Sequence, residues 1–154
     1  MAAETSVRQR LEADLKTAMR GGDTVTRDTA RYVLAAIKNA EIEHRGPLAL
    51  PEEEAVLRRL GKQLADAIEQ YRAAGRDDLA AREEGQLAIL QRYLPPALGD
   101  DELADLAAAV VREAGAAGPK DMSKVMPILM ERVGNRADGR RVSAAARAAL
   151  APSS

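Results

Sequence analysis

Apolar residues recur at three- and four-residue spacing along nearly the whole chain, and no run of alternating β-branched residues interrupts them. This spacing is typical of amphipathic helices and predicts an all-α protein. Gly, Pro and capping residues predict six or seven helices, over residues 6–20, 23–44, 51–74, 77–94, 101–114, 121–133 and 138–150. Asp77 or Asp78 is predicted to cap the fourth of them. The last residues, Pro152, Ser153 and Ser154, are expected to be loose.

The strongest break in the pattern is Pro95-Pro96, followed by Gly99. Two prolines in succession remove helix hydrogen bonds and restrict the preceding residue. We therefore predict an N-terminal helical bundle of about four helices over residues 1–95 and a smaller C-terminal three-helix subdomain over residues 96–154. Pro127 lies inside a predicted helix, where the missing N–H predicts a kink.

The apolar stripes also predict which residues are buried. Leu64 and Leu90 lie mid-helix on such stripes and are predicted to be core residues. The apolar face of the first helix is predicted to consist of Val7, Leu11, Leu15, Ala18 and Met19.

The composition favours closely packed helices and excludes thiol chemistry. The 154 residues are 46% hydrophobic, with no Phe, Trp or Cys, so disulfides and thiolate sites are absent. The first residues are charged rather than apolar, and no stretch approaches the ~20 apolar residues of a membrane span. These features predict a cytoplasmic protein with no membrane association.

Candidate catalytic residues are scarce. His44 is the single histidine, which argues against zinc sites and Ser-His-Asp triads. Glu41-x-x-His44 has the spacing used in di-iron bundles, but such sites need a second copy of the motif. Carboxylate pairs such as Glu83-Glu84 suit helix starts and polar faces; a glycosidase-like acid–base pair among them is the alternative, although no pair is distinguished. We predict no catalytic residue, no metal and no cofactor.

Charge is distributed unevenly around a formal net charge of −1. Residues 1–115 hold 16 Lys/Arg against 21 Asp/Glu, whereas residues 116–154 hold 7 against 3. Such asymmetry is a hint of an anionic partner, and a solvated Arg-rich helix face explains it equally well.

The basic segment contains a corner, Gly134-Asn135-Arg136-Ala137-Asp138-Gly139-Arg140-Arg141-Val142. Gly134 suits a helix end and Asp138 suits an N-cap, and backbone N–H groups at a helix N-terminus favour anions. Three arginines are expected to face solvent there. The predicted nucleic-acid-binding residues are Arg136, Arg140, Arg141, Lys120 and Lys124.

Five segments together resemble a known family. They are Ala36–Glu43, Ala74–Leu79, Tyr93–Pro95, Lys120–Met126 and Arg136–Val142. Their sequence and order resemble the YqeY-like proteins and the related tail domain on the B subunit of the glutamine-dependent tRNA amidotransferase. The chain departs from the family pattern at Asn135, Arg140, Ser143 and Pro127, and the change at Ser143 removes an asparagine from the corner.

The resemblance implies a tRNA-binding accessory module, with kinase and transamidase chemistry on other domains. The family is associated with glutamine-dependent carbon–nitrogen ligase activity, which the resemblance assigns to partner subunits, since no glutaminase nucleophile or ATP site is recognisable here. The alternative is a helical interaction module that docks on an aminoacyl-tRNA synthetase or an amidotransferase. With three tyrosines as its only aromatics, the chain is better suited to reading RNA shape and phosphates than to stacking bases.

Overall fold

A computed structural model describes residues 5–151. Over these residues the chain forms seven α-helices, a short 3₁₀ helix at Pro119–Asp121 and no strand, which confirms the all-α prediction. The expectation for residues 152–154 falls outside the described range. The helices are α1 (Val7–Gly21), α2 (Thr24–His44), α3 (Leu50–Ala73), α4 (Asp77–Gln91), α5 (Asp100–Ala114), α6 (Met122–Val133) and α7 (Gly139–Leu150).

Most helix ends lie within a few residues of their predicted positions, because local capping residues determine them. Asp23 is the N-cap of α2, and its side chain accepts a hydrogen bond from the Thr26 N–H. The prediction that Asp77 or Asp78 caps α4 is wrong. Arg76 occupies the N-cap, and both carboxylates lie in the first turn, where they face the positive end of the helix dipole.

The chain divides into two compact units, one up to Pro95 and the other from Pro96. The division into an N-terminal helical subdomain over residues 1–95 and a C-terminal three-helix subdomain over residues 96–154 stays a prediction. In the first unit α3 packs along α4, and α1 and α2 pack beside them. Leu64 and Leu90 are buried as predicted, whereas Met19 is 55% exposed and its assignment to the core face is wrong. Ala18 is buried instead. Successive residues of a helix are about 100° apart around its axis, so the Met19 side chain is directed away from the core.

The N-terminus of α1 is capped by a residue from another helix. Ser6 Oγ accepts from the Gln9 N–H at 3.0 Å, while the two carboxylate oxygens of Glu53 accept from the Val7 and Arg8 N–H groups, each at 3.0 Å. Glu53 is buried in α3. The free amides at the start of a helix need such partners, and here the carboxylate also faces the positive end of the dipole.

The end of the first unit is tied to α1 by Tyr93. Its hydroxyl donates to an Asp14 carboxylate oxygen, and the Arg10 guanidinium lies 5.0 Å from the centre of its ring. Burial, and then the hydrogen bond to Asp14, raise the pKa of the Tyr93 phenol well above its usual range. The phenol therefore stays protonated and serves as a donor across the physiological pH range.

The second unit is built from α5, α6 and α7, with α7 packed against both of the others. Helix α6 continues through Pro127. Leu98, in the segment that precedes α5, is also buried in this core. The buried cluster consists of Leu98, Leu103, Ala107, Val110, Val125, Leu129, Val133, Val142, Ala146 and Leu150.

Candidate nucleic-acid interface

The corner between α6 and α7 forms by the local chemistry that its sequence predicts. Gly134 ends α6 with a φ of 59°, a conformation that glycine adopts without strain. Asp138 is the N-cap of α7, and its carboxylate accepts from the Arg141 N–H at 2.9 Å. The predicted cap is confirmed, and the positive end of α7 is partly satisfied by this carboxylate.

Arg141 is held by the segment that leads into α5. One of its terminal nitrogens, Nη2, donates to the Leu98 carbonyl and to Asp100 Oδ1, both at 2.8 Å. The Asp100 side chain is 95% exposed, so this ion pair contributes about 0–1 kcal/mol at most. The bond to the part-buried Leu98 carbonyl is the stronger structural contact.

Arg136 belongs to the same local network. Its carbonyl accepts from the Leu98 N–H at 2.9 Å, and its own N–H donates to the Val133 carbonyl at 3.2 Å. Its side-chain Nε is buried and has no hydrogen-bond partner. Arg136 and Arg141 are both half-buried, so the expectation that all three corner arginines face solvent is wrong for these two. They hold Leu98 in place, a long-range contact that the local sequence does not reveal.

The remaining predicted cations are on the surface. Arg140 and Lys120 are exposed, and neither forms an ion pair with any residue that the structure describes. Lys124 is 62% exposed and lies 3.6 Å from an Asp121 carboxylate oxygen. A partner at that distance on the surface holds Lys124 weakly, so it remains accessible to an anion.

Arg147 is a surface cation that the sequence reasoning missed. It is exposed on α7, and its Nη2 donates to Ser143 Oγ at 2.8 Å, with no carboxylate partner among residues 5–151. It follows Arg140 by seven residues, which places both on one side of α7 about 10.5 Å apart along its axis. That spacing was the signal available in the sequence. Arg140 and Arg147 therefore form a line of exposed cations along α7 that leads away from the corner.

Arg141→Ala is expected to lower the free energy of unfolding by about 1–2 kcal/mol, because it removes the donor to a part-buried carbonyl. Arg140→Ala, at an exposed position one residue away, is the matched control and should change it by less than about 0.5 kcal/mol. Urea denaturation of both variants measures the difference, and hydrogen exchange should accelerate at the Leu98 amide in Arg141→Ala alone. Equal stability of the two variants would show that Arg141 is not a structural residue.

The described residues 5–151 also bear on metal binding and membrane insertion. No group of three or more His, Asp or Glu side chains there could hold a metal ion. No helix in that range combines the length and apolar character that crossing a membrane requires.

Two helical units, one carrying exposed cations along its last helix, define a small all-α protein. The sequence profile of the family described as Yqey-like protein matches residues 8–150. The chain belongs to the YqeY-like family.

Three fungal relatives share the name altered inheritance of mitochondria protein 41, mitochondrial. The protein of Pyrenophora tritici-repentis is 32% identical over 139 residues, covering 87% of this chain and 75% of the relative. That of Eremothecium gossypii is 34% identical over 72% of this chain and 62% of the relative. That of Meyerozyma guilliermondii is 38% identical over 54% of this chain and 44% of the relative. The chain thus spans about half the length of some of the curated relatives that it matches.

These relatives are named as mitochondrial proteins, so the prediction of a cytoplasmic location is wrong. The prediction rested on the absence of cysteine and of an apolar segment at the start of the chain. Neither feature distinguishes one compartment inside a cell from another.

Proposed function

We propose that this chain is a non-catalytic module that binds tRNA, and that Arg140 and Arg147 contact phosphates. The observation that carries the proposal is the pair itself: two exposed guanidinium groups on one side of α7, neither with a carboxylate partner in the described residues. Lys120 and Lys124, which are also exposed in this unit, are the further candidate contacts.

The physical basis is electrostatic. Unpaired cations on a rigid helix release counterions when they meet phosphates, and this supplies affinity without reading sequence. The resemblance of the family to the amidotransferase tail domain supports tRNA as the nucleic acid, and the low aromatic content argues against base stacking as the source of affinity. The first half of α5, with Asp100, Asp101, Glu102 and Asp105, is anionic and should repel phosphates, so the contacts are assigned to α7 and not to α5.

The double variant Arg140→Ala, Arg147→Ala tests the proposal in a fluorescence titration with a labelled tRNA transcript at several salt concentrations. Each lost phosphate contact should reduce the slope of log K against log salt by about 0.7–0.9, so the double variant should lose roughly 1.4–1.8. The loss should be similar for unrelated tRNAs, because phosphate contacts are independent of sequence.

Arg112→Ala is the control, since Arg112 is exposed on the acidic helix α5 of the same unit. It should leave the slope unchanged. Circular dichroism should show the same helical content in all variants, because none of these three arginines is buried. If the double variant binds tRNA with the affinity and slope of the parent, the assignment to α7 is wrong. If the parent does not bind tRNA even at low salt, the proposed function is wrong.

A further inference from the structure

The outer face of α2 in the first unit carries an exposed seam, made of Tyr32, Ala35, Asn39 and Ile42. Their spacing of three, four and three residues places them in one line along the helix. Tyr32 is 40% exposed. Ile42 is 66% exposed, which is the highest value among the large apolar side chains of the described residues. Part of this seam lies in the segment Ala36–Glu43, which the tRNA proposal does not use.

One edge of this α2 seam is basic. Arg31 and Lys38 are exposed and seven residues apart, and Arg45 follows at the end of the helix in a left-handed conformation with φ of 62°. None of the three forms an ion pair within the described part of the chain. The opposite edge carries a single exposed charge, Glu43.

A shallow groove adjoins the C-terminal half of the α2 seam. Its volume is about 470 Å³, and Ile42 lies in it beside Lys38 and Arg45. Arg8 and Glu41 also line it, but they bind each other, with Arg8 Nη1 at 2.8 and 2.6 Å from the two carboxylate oxygens. The groove therefore offers an apolar contact with two unpaired cations at its rim.

A second copy of the chain fits this seam poorly. In an antiparallel pair of α2 helices with Tyr32 packed on Ala35 of the other copy, Arg31 of one copy would lie beside Lys38 of the other. In a parallel pair in register, Asp28 of one copy would face Asp28 of the other. Asp28 lies four residues before Tyr32 and therefore on the same line of the helix. Like charges opposite each other at a helix interface act against such pairings.

Nucleic acid fits the α2 seam poorly as well, because phosphates and sugars do not cover apolar side chains such as Ile42. A seam whose apolar members are Tyr32, Ala35 and Ile42, with cations along one edge, is complementary to an amphipathic helix with an apolar stripe and acidic residues along one edge. We propose that the α2 seam docks an acidic amphipathic helix of a partner protein, with Ile42 as the apolar anchor and Arg31, Lys38 and Arg45 facing its carboxylates. This inference is independent of the proposed tRNA binding, since it concerns the other unit.

The test uses a fluorescein-labelled designed helical peptide of about three heptads, with Leu at the apolar positions and Glu along one edge of the apolar stripe. A matched peptide carries Lys in place of every Glu. Fluorescence anisotropy with the full chain should show saturable binding of the acidic peptide and at least ~10-fold weaker binding of the basic one. Ile42→Ser and Lys38→Glu should each weaken binding of the acidic peptide by roughly 10-fold.

Lys62→Glu is the control, because Lys62 is an exposed, unpaired lysine on α3. It should bind the acidic peptide like the parent. Equal binding of both peptides, no saturable binding, or equal effects of Lys38→Glu and Lys62→Glu would overturn the proposal. Light scattering measures the oligomeric state. If the parent is a dimer and Ile42→Ser is a monomer, the α2 seam binds a second copy of the chain and the proposal is wrong. If Lys38→Glu loses tRNA binding but still binds the acidic peptide, the α2 seam is an RNA-binding surface and the proposal is wrong.

Discussion

Leu90→Ala is expected to lower the free energy of unfolding of this protein by about 2–5 kcal/mol. Leu90 is fully buried in α4 within the core of the first unit. Gly61 of α3 faces it across the contact between the two helices, which brings the helices close together. Replacing the isobutyl side chain by a methyl group leaves a cavity that two closely packed helices fill poorly, so the cost should lie well above that of a surface change.

Urea denaturation followed by circular dichroism measures the effect. Leu64→Ala should fall in the same range, since Leu64 is buried at 5% exposure in the same core. Met19→Ala is the control: Met19 is 55% exposed, and its removal should cost less than about 0.5 kcal/mol. A Leu90→Ala variant as stable as Met19→Ala would show that the α3–α4 contact is not a tightly packed core.

Glu53→Ala is expected to cost about 2–4 kcal/mol, because it removes both acceptors for the first two amides of α1. The Val7 amide is buried, so water cannot replace the lost partner there. The variant also removes a negative charge from the positive end of the α1 dipole. Few single polar substitutions in this protein are expected to have a larger effect.

Glu53→Gln is the intermediate variant, because it removes the charge and replaces one of the two acceptor oxygens by an NH₂ group, which cannot accept from an amide. Its stability should therefore lie between the parent and Glu53→Ala. Glu69→Ala, at an exposed position of the same helix, is the control and should be nearly neutral. Hydrogen exchange should accelerate first at the Val7 and Arg8 amides. Unchanged protection at both amides in Glu53→Ala would show that the carboxylate does not cap α1 in solution.

The residues of the α6–α7 corner have two different roles. Arg136 and Arg141 connect the corner to Leu98, while Arg140 and Arg147 are available on the surface of α7. Variants of the first pair should therefore be judged by stability, and variants of the second pair by tRNA binding. A triple replacement of Arg136, Arg140 and Arg141 would mix the two effects, because it removes a structural contact together with a surface cation.

The sequence by itself determined the helices of this protein, most of their ends and much of its core. Those features depend on neighbours within a turn or two: apolar spacing selects the buried face, as at Leu64 and Leu90, and residues such as Asp23, Asp138 and Gly134 satisfy helix termini locally. The YqeY-like family was recognisable for the same reason, since its motifs are short and continuous.

Only the tertiary structure decided which polar side chains form hydrogen bonds to distant parts of the chain. Glu53 lies 46 residues from Val7 and Arg141 lies 43 residues from Leu98, yet each pair forms a hydrogen bond. In the sequence Glu53 is one of three consecutive glutamates, and Arg141 is one of two consecutive arginines. Burial and pairing depend on residues distant in the chain, so local pattern could not distinguish Glu53 and Arg141 from exposed neighbours such as Glu52 and Arg140.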